Sequence, residues 1–358
     1  MYDTRWQSIE WYASQPVVFQ ALATLLRYTF GTEAIMERGT WRAAFEVVLL
    51  VLLISRVQET KAQFLVGFYD VTCPQAESLI TETVNSAVQA DVTMAASLLR
   101  FVFHDCFVQG CDASVLLDST PAFGQAEKDA PPNQSLRGFE VFDTAKAAVE
   151  AVCPKVVSCA DIIALAGRDA AVAVGAPSWQ VPTGRRDGTI SQLLDAGINI
   201  PMPTLPYQLL LQSFLVHGLS EDDMITLSGA HTIGRAHCSA FTSRLYPTVD
   251  PTLDPAYAAQ LQSLCPQNGS PNTLVPLDYR TPDVFDINYY VNLGIGRALM
   301  PTDQELLSDL YGTQTTALNV QNPTIWGQKF SNAMFRLSQL NMKLNPLGEV
   351  RSNCHVRG

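Results

Sequence analysis

A mainly α-helical fold is what this 358-residue sequence predicts, and three observations carry the prediction. Apolar residues recur at three- and four-residue intervals over stretches long enough for helices. Start and stop signals bracket several of those stretches. Strand signals are sparse and short, while Pro and Gly clusters at 177–188, 197–206 and 266–282 mark long connecting loops, with a division of the chain placed near 180–205.

In chain order, Pro74 followed by Ala76, Leu79, Ile80, Val84, Ala87 and Val88 predicts a first helix with proline in its opening turn. Met94 to Cys106 predicts a second, with Ala95, Leu98, Leu99, Val102 and Phe103 on its apolar side. Phe139 to Val152 is a third, ended by Pro154. Ser158 begins a fourth, because Asp161 three residues later completes a capping box and Gly175 closes the run. Thr204 to Val216, stopped by Gly218, is a fifth. A second box, Ser220 with Asp223, opens the segment that leads to His231.

With 47% apolar residues the chain is globular in composition and long enough to bury a large core. A formal net charge of -11 opposes nucleic acid or an anionic membrane surface as a partner and leaves neutral small molecules open. All eight cysteines follow position 72 and none has the CxxC spacing of structural zinc sites, so disulfides in an oxidising compartment are expected. A secretory signal should accompany them. Val47 to Ile54 is an apolar run too short to span a bilayer, preceded by Arg38 and Arg42 and followed by Thr60, Lys61 and Ala62. Residues 36–62 therefore read as a signal peptide and residues 1–35 as a dispensable extension, the alternative being an amphipathic helical one. Removing residues 1–62 takes away six basic and six acidic side chains, so residues 63–358 keep the net charge of -11.

Chemistry concentrates between Arg100 and Ser114, which hold a strong cation, an imidazole, two carboxylates and a two-cysteine loop in a chain with five histidines. Arg100 and His104, four apart, fall on one helical face, with Phe103 beside them as an apolar floor. A fixed positive charge next to a proton acceptor suits heterolysis of a polar bond. An isolated pair of this kind would be a surface arginine with a packed core histidine, but the same helix runs straight into Asp105, Cys106 and Cys111. Asp105, Val108, Gly110, Asp112 and Ser114 offer the carboxylate, carbonyl and hydroxyl oxygens that calcium prefers, a solvated acidic turn being the other reading. Met224, Leu227, Ser228 and His231 share one helical face, which presents an imidazole from a mostly apolar stripe and by itself fits a core histidine equally well.

Arg100 through Ser114 resembles the distal-site signature of the secretory (class III) plant haem peroxidases. Leu227-Ser228-Gly229-Ala230-His231-Thr232-Ile233-Gly234 is similar to the family's proximal motif, Glu127 through Asn133 to its distal loop, and Gly184-Arg185-Arg186-Asp187 to a further marker. Asp303-Gln304-Glu305-Leu306 and Gly348 through Cys354 match as well, so the resemblance runs from about Gln63 to the C-terminus. It implies a mainly α haem peroxidase fold with few short strands, in which a distal half (63–200) and a proximal half (201–358) enclose one haem b. The implied activity is reduction of hydrogen peroxide to water with one-electron oxidation of small phenolic donors, by a monomer secreted to the plant apoplast and cell wall, with no membrane or nucleic-acid partner.

Carried over residue by residue, the resemblance makes His231 the axial ligand of haem iron and Asp303 the acceptor of its other ring N–H. Taken alone, Asp303 fits a helix cap before Gln304 and Glu305. Its approach through Met300, Pro301 and Thr302 departs from the family's non-proline pattern, and Gly294 and Gly296 soften the segment before it. On the opposite face His104 becomes the general base, Arg100 the stabiliser of developing negative charge, and Asn133 the residue that fixes the His104 tautomer. Phe103 contacts the haem, and Pro201 helps hold the donor at the haem edge, although Pro201 and Pro203 would also stiffen a loop. Two calcium ions are implied, one on Asp105, Val108, Gly110, Asp112 and Ser114 with Glu127, the other on Thr232, Asp278, Thr281, Val284 and Asp286. The implied disulfides are Cys73–Cys153, Cys106–Cys111, Cys159–Cys354 and Cys238–Cys265.

Glycosylation sequons occur at Asn133 and Asn268, and the proposed bond between Asn133 and His104 leaves Asn268 as the expected site. His217, His237 and His355 are expected to be surface or packing residues. A silent extracellular binding protein that kept the fold is the competing class, opposed by the joint presence of Arg100, His104, Asn133, His231 and Asp303. A zinc hydrolase on His231, His237 and Cys238 fails because the histidines lie six positions apart, where a helical metal pair lies three or four apart.

Overall fold

The apolar stripe that begins at Ala76 folds as α1 (Ala76–Ala90), which buries Ala76, Ile80, Val84 and Val88 at four-residue spacing. The computed structural model describes residues 64–358, so the expected signal peptide at 36–62 and extension at 1–35 lie outside the described residues. α2 (Met94–Cys106) and α3 (Phe139–Val152) have the bounds that their apolar patterns predict. α4 (Cys159–Ala173) is buried on every side, including Ile162, Ile163, Leu165, Ala166, Ala170 and Ala171. It is the post on which α1, α2 and α3 pack.

The capping box expected at Ser158 is only half formed. Ser158 accepts from the Asp161 amide, but the Asp161 carboxylate does not return the bond. It accepts instead from the Tyr69 hydroxyl at 2.6 Å, the Gly184 amide at 2.7 Å and the Arg185 guanidinium at 2.8 Å. The box at Ser220 is complete, with Asp223 accepting from the Ser220 amide.

Beyond α4 come α5 (Leu193–Asn199), α6 (Tyr207–Leu215) and α7 (Glu221–Ser228). α8 (Pro255–Leu264), α9 (Asn288–Gly294), α10 (Pro301–Glu305), α11 (Leu310–Gln321) and α12 (Pro323–Leu337) complete the helices of the described residues. α5 occupies part of the segment expected as loop. α6 starts at Tyr207 rather than Thr204, because Pro206 holds an extended backbone at its N-cap and restricts Leu205 before it. The loop expected over 266–282 contains β2 (Leu274–Pro276), which pairs antiparallel with β1 (Arg235–His237) so that Ala236 faces Val275.

One buried core runs from Tyr69 to Cys354 through α1–α4, α6, α7, α9 and α12, joining the two halves of the chain. A smaller cluster of Phe241, Leu245, Tyr257, Leu261 and Val275 sits under the ribbon. No helix among the described residues is long and apolar enough to cross a membrane.

All eight cysteines pair as the resemblance implies: Cys73–Cys153, Cys106–Cys111, Cys159–Cys354 and Cys238–Cys265. Cys159–Cys354 spans 195 residues and ties the C-terminus to the start of α4, whereas Cys106–Cys111 spans five. By loop-closure entropy, replacing Cys159 and Cys354 with serine should lower unfolding free energy by roughly 5 kcal/mol, against roughly 2 kcal/mol for the Cys106 and Cys111 double variant. Urea denaturation of the two variants checks that order.

Candidate active site

α2 places Arg100 and His104 on one face, one turn apart, as their spacing predicts. The Arg100 Nε–H donates to His104 Nε2 at 2.8 Å, while the Nη atoms donate to Ser135 Oγ and the Pro132 carbonyl, each at 2.9 Å. With Nε2 accepting, the His104 ring proton sits on Nδ1, which donates to Asn133 Oδ1 at 2.5 Å. The Asn133 amide is oriented in turn by its Nδ2 donating to the Glu127 carbonyl at 2.7 Å. Tautomer and ring angle are therefore fixed by a chain of bonds that starts on the backbone of the distal loop.

Burial pushes the His104 pKa well below 6.5, and the Arg100 charge adds to the shift against the opposing Asn133 bond. Burial also lowers Arg100, to about 10, which leaves it charged at neutral pH. Phe103 lies edge-on to the His104 ring at 5.9 Å between centroids and packs with Ala130, Ala196 and Ile200. α5 thus packs against Phe103 through Ala196.

His231 comes from a different local structure than the sequence predicts. α7 stops at Ser228 and tightens into a 3-10 turn over Gly229–Thr232, so His231 does not continue the helical face of Met224, Leu227 and Ser228. Glycine at 229 lets the turn pack closely, because a Cβ there would lie 2.7 Å from Trp326 and from the Tyr290 hydroxyl. His231 Nδ1 lies 2.8 Å from Asp303 Oδ1. Pro301 takes the first position of α10, where it lacks no needed donor, so the departure at Met300-Pro301-Thr302 still delivers Asp303 to His231. Its neighbour Thr302 donates its amide to the Pro203 carbonyl at 3.1 Å, which ties α10 to the loop of half-buried Pro201.

Burial lowers the His231 pKa, yet the charge and hydrogen bond of Asp303 outweigh it and the net shift is upward. Arg100 is close enough to push the other way, which puts the two histidine sites within electrostatic reach. The His231 side chain is 40% accessible, so protein does not enclose it on every side. Nε2 makes no hydrogen bond among the described residues. An imidazole with one nitrogen tied to a carboxylate and the other free is the donor that haem iron takes.

The acidic loop brings Asp105, Asp112 and Ser114 together in full burial, with Glu127 against them. Asp105 Oδ2 accepts from the Ala113 amide at 2.9 Å, but Asp105 Oδ1, Ser114 Oγ and both Glu127 oxygens are buried without a partner. Burial raises all three carboxyl pKa values, and Asp112 raises Asp105 further, as Asp105 raises Glu127. Orphaned oxygens of this density fit a hard cation. Among the described residues no three His, Cys, Asp or Glu side chains converge tightly enough to hold a metal alone. A cation here must take part of its shell from carbonyls such as those of Val108 and Gly110, which the Cys106–Cys111 bridge closes into the same loop. A solvated acidic turn is ruled out by the burial.

The second set is gathered more loosely. Thr232 Oγ1 reaches Asp286 Oδ1 at 3.3 Å, Thr281 Oγ1 reaches Asp278 Oδ2 at 3.3 Å, and Asn288 Nδ2 bridges Thr281 and Asp286. Val284 is exposed on the same loop. These oxygens have partners, so the fit to calcium rests there on donor chemistry alone.

The remaining histidines are not bare surface residues. His217 Nε2 lies 2.9 Å from the Phe107 carbonyl with its ring stacked on Phe107, and His355 Nε2 lies 2.7 Å from Asp143. His237 sits on β1 beside the Asn272 carbonyl and Cys238 is in a disulfide, which removes the zinc alternative. Sequence reasoning missed Tyr289, whose hydroxyl reaches Asp303, and Ser135 and the Pro132 carbonyl, which hold Arg100. No spacing rule links those positions.

The mainly helical fold is consistent with the haem peroxidases, and the comparisons place the chain in that family. The peroxidase family model matches residues 80–322. "Peroxidase 5" of Vitis vinifera is 47% identical over 328 residues, covering 89% of this chain and 98% of that protein. "Peroxidase C2" of Armoracia rusticana is 44% identical over 316 residues, covering 86% and 91%, and "Peroxidase 1" of Zea mays is 42% identical over 335, covering 90% and 91%. The chain belongs to the peroxidase family. It is an oxidoreductase that reduces hydrogen peroxide, and haem is its cofactor.

The depressed pKa has a defined sign. Between the folded and unfolded values the unfolded chain binds more protons, so His104 favours folding above pH ~6.5 and loses that contribution as pH falls. In the cofactor-free protein the ¹⁵N imidazole resonances of His104 should remain those of a neutral Nδ1–H tautomer at about pH 5.5, where a free histidine is mostly protonated. Asn133→Ala should bring in the second tautomer.

Proposed function

We propose that this chain is a secreted peroxidase that oxidises phenolic donors, with His104, Arg100 and Asn133 on one side of the haem and His231 and Asp303 on the other. The observation that carries the reading is the pairing of two differently held imidazoles, His104 on an amide oxygen at 2.5 Å and His231 on a carboxylate at 2.8 Å. Haem held through His231 Nε2 would supply the iron that binds peroxide and the store for two oxidising equivalents.

His104 Nε2 takes the proton of the attacking peroxide and returns it to the departing oxygen, which leaves as water. Arg100 occupies that nitrogen in the structure, so peroxide must displace the Nε–H contact, and the freed guanidinium then faces the charge that develops as the O–O bond breaks. Asp303 holds the His231 Nδ1 proton and gives the ring anionic character. Pro201 borders the donor site and Phe103 lines the haem side of α2.

The acidic loop binds one calcium through Asp105, Val108, Gly110, Asp112 and Ser114, with Glu127 as an outer partner. The loop at Thr232, Asp278, Thr281, Val284 and Asp286 binds the second. Residues 63–200 form the distal half and 201–358 the proximal half of the mature protein, released from residues 1–62 and active as a monomer in the apoplast and cell wall. Asn268 is exposed and takes the glycan, whereas Asn133 is buried at 1% exposure and bonded on both sides of its amide.

Absorption of the purified, calcium-loaded protein tests the assignments directly. A Soret band that responds to hydrogen peroxide is expected, with His231→Ala losing the band unless imidazole is added. His104→Ala should keep haem but slow reaction with peroxide by about 10³-fold, and Arg100→Ala by about 10²-fold. An unchanged rate in His104→Ala would remove the general-base role.

Calcium must displace protons from carboxyl groups whose pKa values are raised, so its binding should weaken as pH falls and should release protons. Calorimetry in two buffers of different ionisation enthalpy measures the release. No buffer dependence would argue against the distal loop as the site.

A further inference from the structure

Asp303 Oδ1 is shared. It lies 2.8 Å from His231 Nδ1 and 3.0 Å from the hydroxyl of Tyr289, so three separate elements, the 3-10 turn, α9 and α10, converge on one oxygen atom. Tyr289 is 3% exposed and its ring is fixed edge-on to His231 at 6.2 Å and to Tyr290 at 5.0 Å. A carboxylate oxygen only accepts, so the Tyr289 hydroxyl is the donor in this contact.

We propose that Tyr289 is a positioning residue that sets how much of the Asp303 charge reaches His231. An oxygen that accepts two hydrogen bonds divides its negative charge between them and is a weaker acceptor for each. Tyr289 therefore limits the anionic character of the His231 ring and selects which Asp303 oxygen faces it. Through His231 that limit sets the reduction potential of the iron, since hydrogen bonding around an axial ligand is one of the protein's means of tuning it. Tyr290 provides the contrast: equally buried and adjacent, it donates to the Ile225 carbonyl at 2.8 Å and does not touch Asp303.

The inference rests on His231 as the iron ligand, and the test separates the two. In the haem-loaded protein, Tyr289→Phe should move the ferric/ferrous midpoint potential to more negative values and raise the iron–imidazole stretching frequency in the ferrous Raman spectrum. Replacing Tyr289 with 3-fluorotyrosine, a stronger hydrogen-bond donor of nearly the same shape, should shift both quantities the opposite way, and this isosteric change serves if the phenylalanine variant folds poorly. Tyr290→Phe should leave both in place. An iron–imidazole band that is present but unmoved in both Tyr289 variants, or moved as far by Tyr290→Phe, would overturn the role of Tyr289 alone. A wild-type protein with no iron–imidazole band would overturn His231 ligation and the inference with it.

Discussion

The buried ion pair between Arg185 and Asp161 is the contact on which the rest of the structure depends. Both side chains are fully enclosed, and the charges are tolerable only because each is met several times over. Asp161 accepts from Tyr69, Gly184 and Arg185, and Arg185 donates as well to the Pro182 and Ser338 carbonyls. Next to it, Asp187 accepts from the Ala160 amide and the Arg351 amide, each at 2.9 Å. Five stretches of chain that are distant in sequence thus close around the first turn of α4. Removing one member would leave an uncompensated charge costing on the order of 3–5 kcal/mol, and α4 is the surface on which the helix of Arg100 and His104 rests.

That network explains which parts of the fold the sequence makes legible. α1 to α4 declare themselves because their buried faces are aliphatic and their ends carry Pro, Gly or Ser signals. α11 does not, because the residues it buries are Gly312, Thr315, Thr316 and Asn319, which read as solvent-facing in any hydrophobic pattern. α5 is seven residues long and fully buries only Ala196. At Ser158 the expected capping partner was drawn away: an ion pair with Arg185 competes with a reciprocal cap bond, and the charged partner wins.

The site divides in the same way. Arg100 and His104 are readable from their four-residue spacing, since both lie on one helix and nothing distant decides their relation. The contact between His231 and Asp303 crosses 72 positions and depends on how a 3-10 turn and a five-residue helix meet, so only the family resemblance supplied it. Tyr289 is the limiting case. It lies beyond both motifs, and its part emerges only when three elements are seen to share one oxygen.

Two histidines in one protein are driven in opposite directions by what surrounds them. Burial and Arg100 hold His104 neutral, while Asp303 pulls His231 up. Such separation of like groups marks a division of chemical labour. It also gives the acidic loop an electrostatic task. Asp105 adjoins His104 in sequence, and three ionised carboxylates there would place negative charge beside a ring that, in its proposed role, must stay unprotonated to accept a proton. Neutralised, whether by protons or by a divalent cation, they leave His104 low. Protonation achieves this only with carboxyl pKa values raised by burial, and in the structure Ser114 Oγ and the Glu127 oxygens have no partner. A cation bound there would satisfy the oxygens and cancel the charge together, so under the proposed reading the loop that adjoins His104 would also protect its basic form.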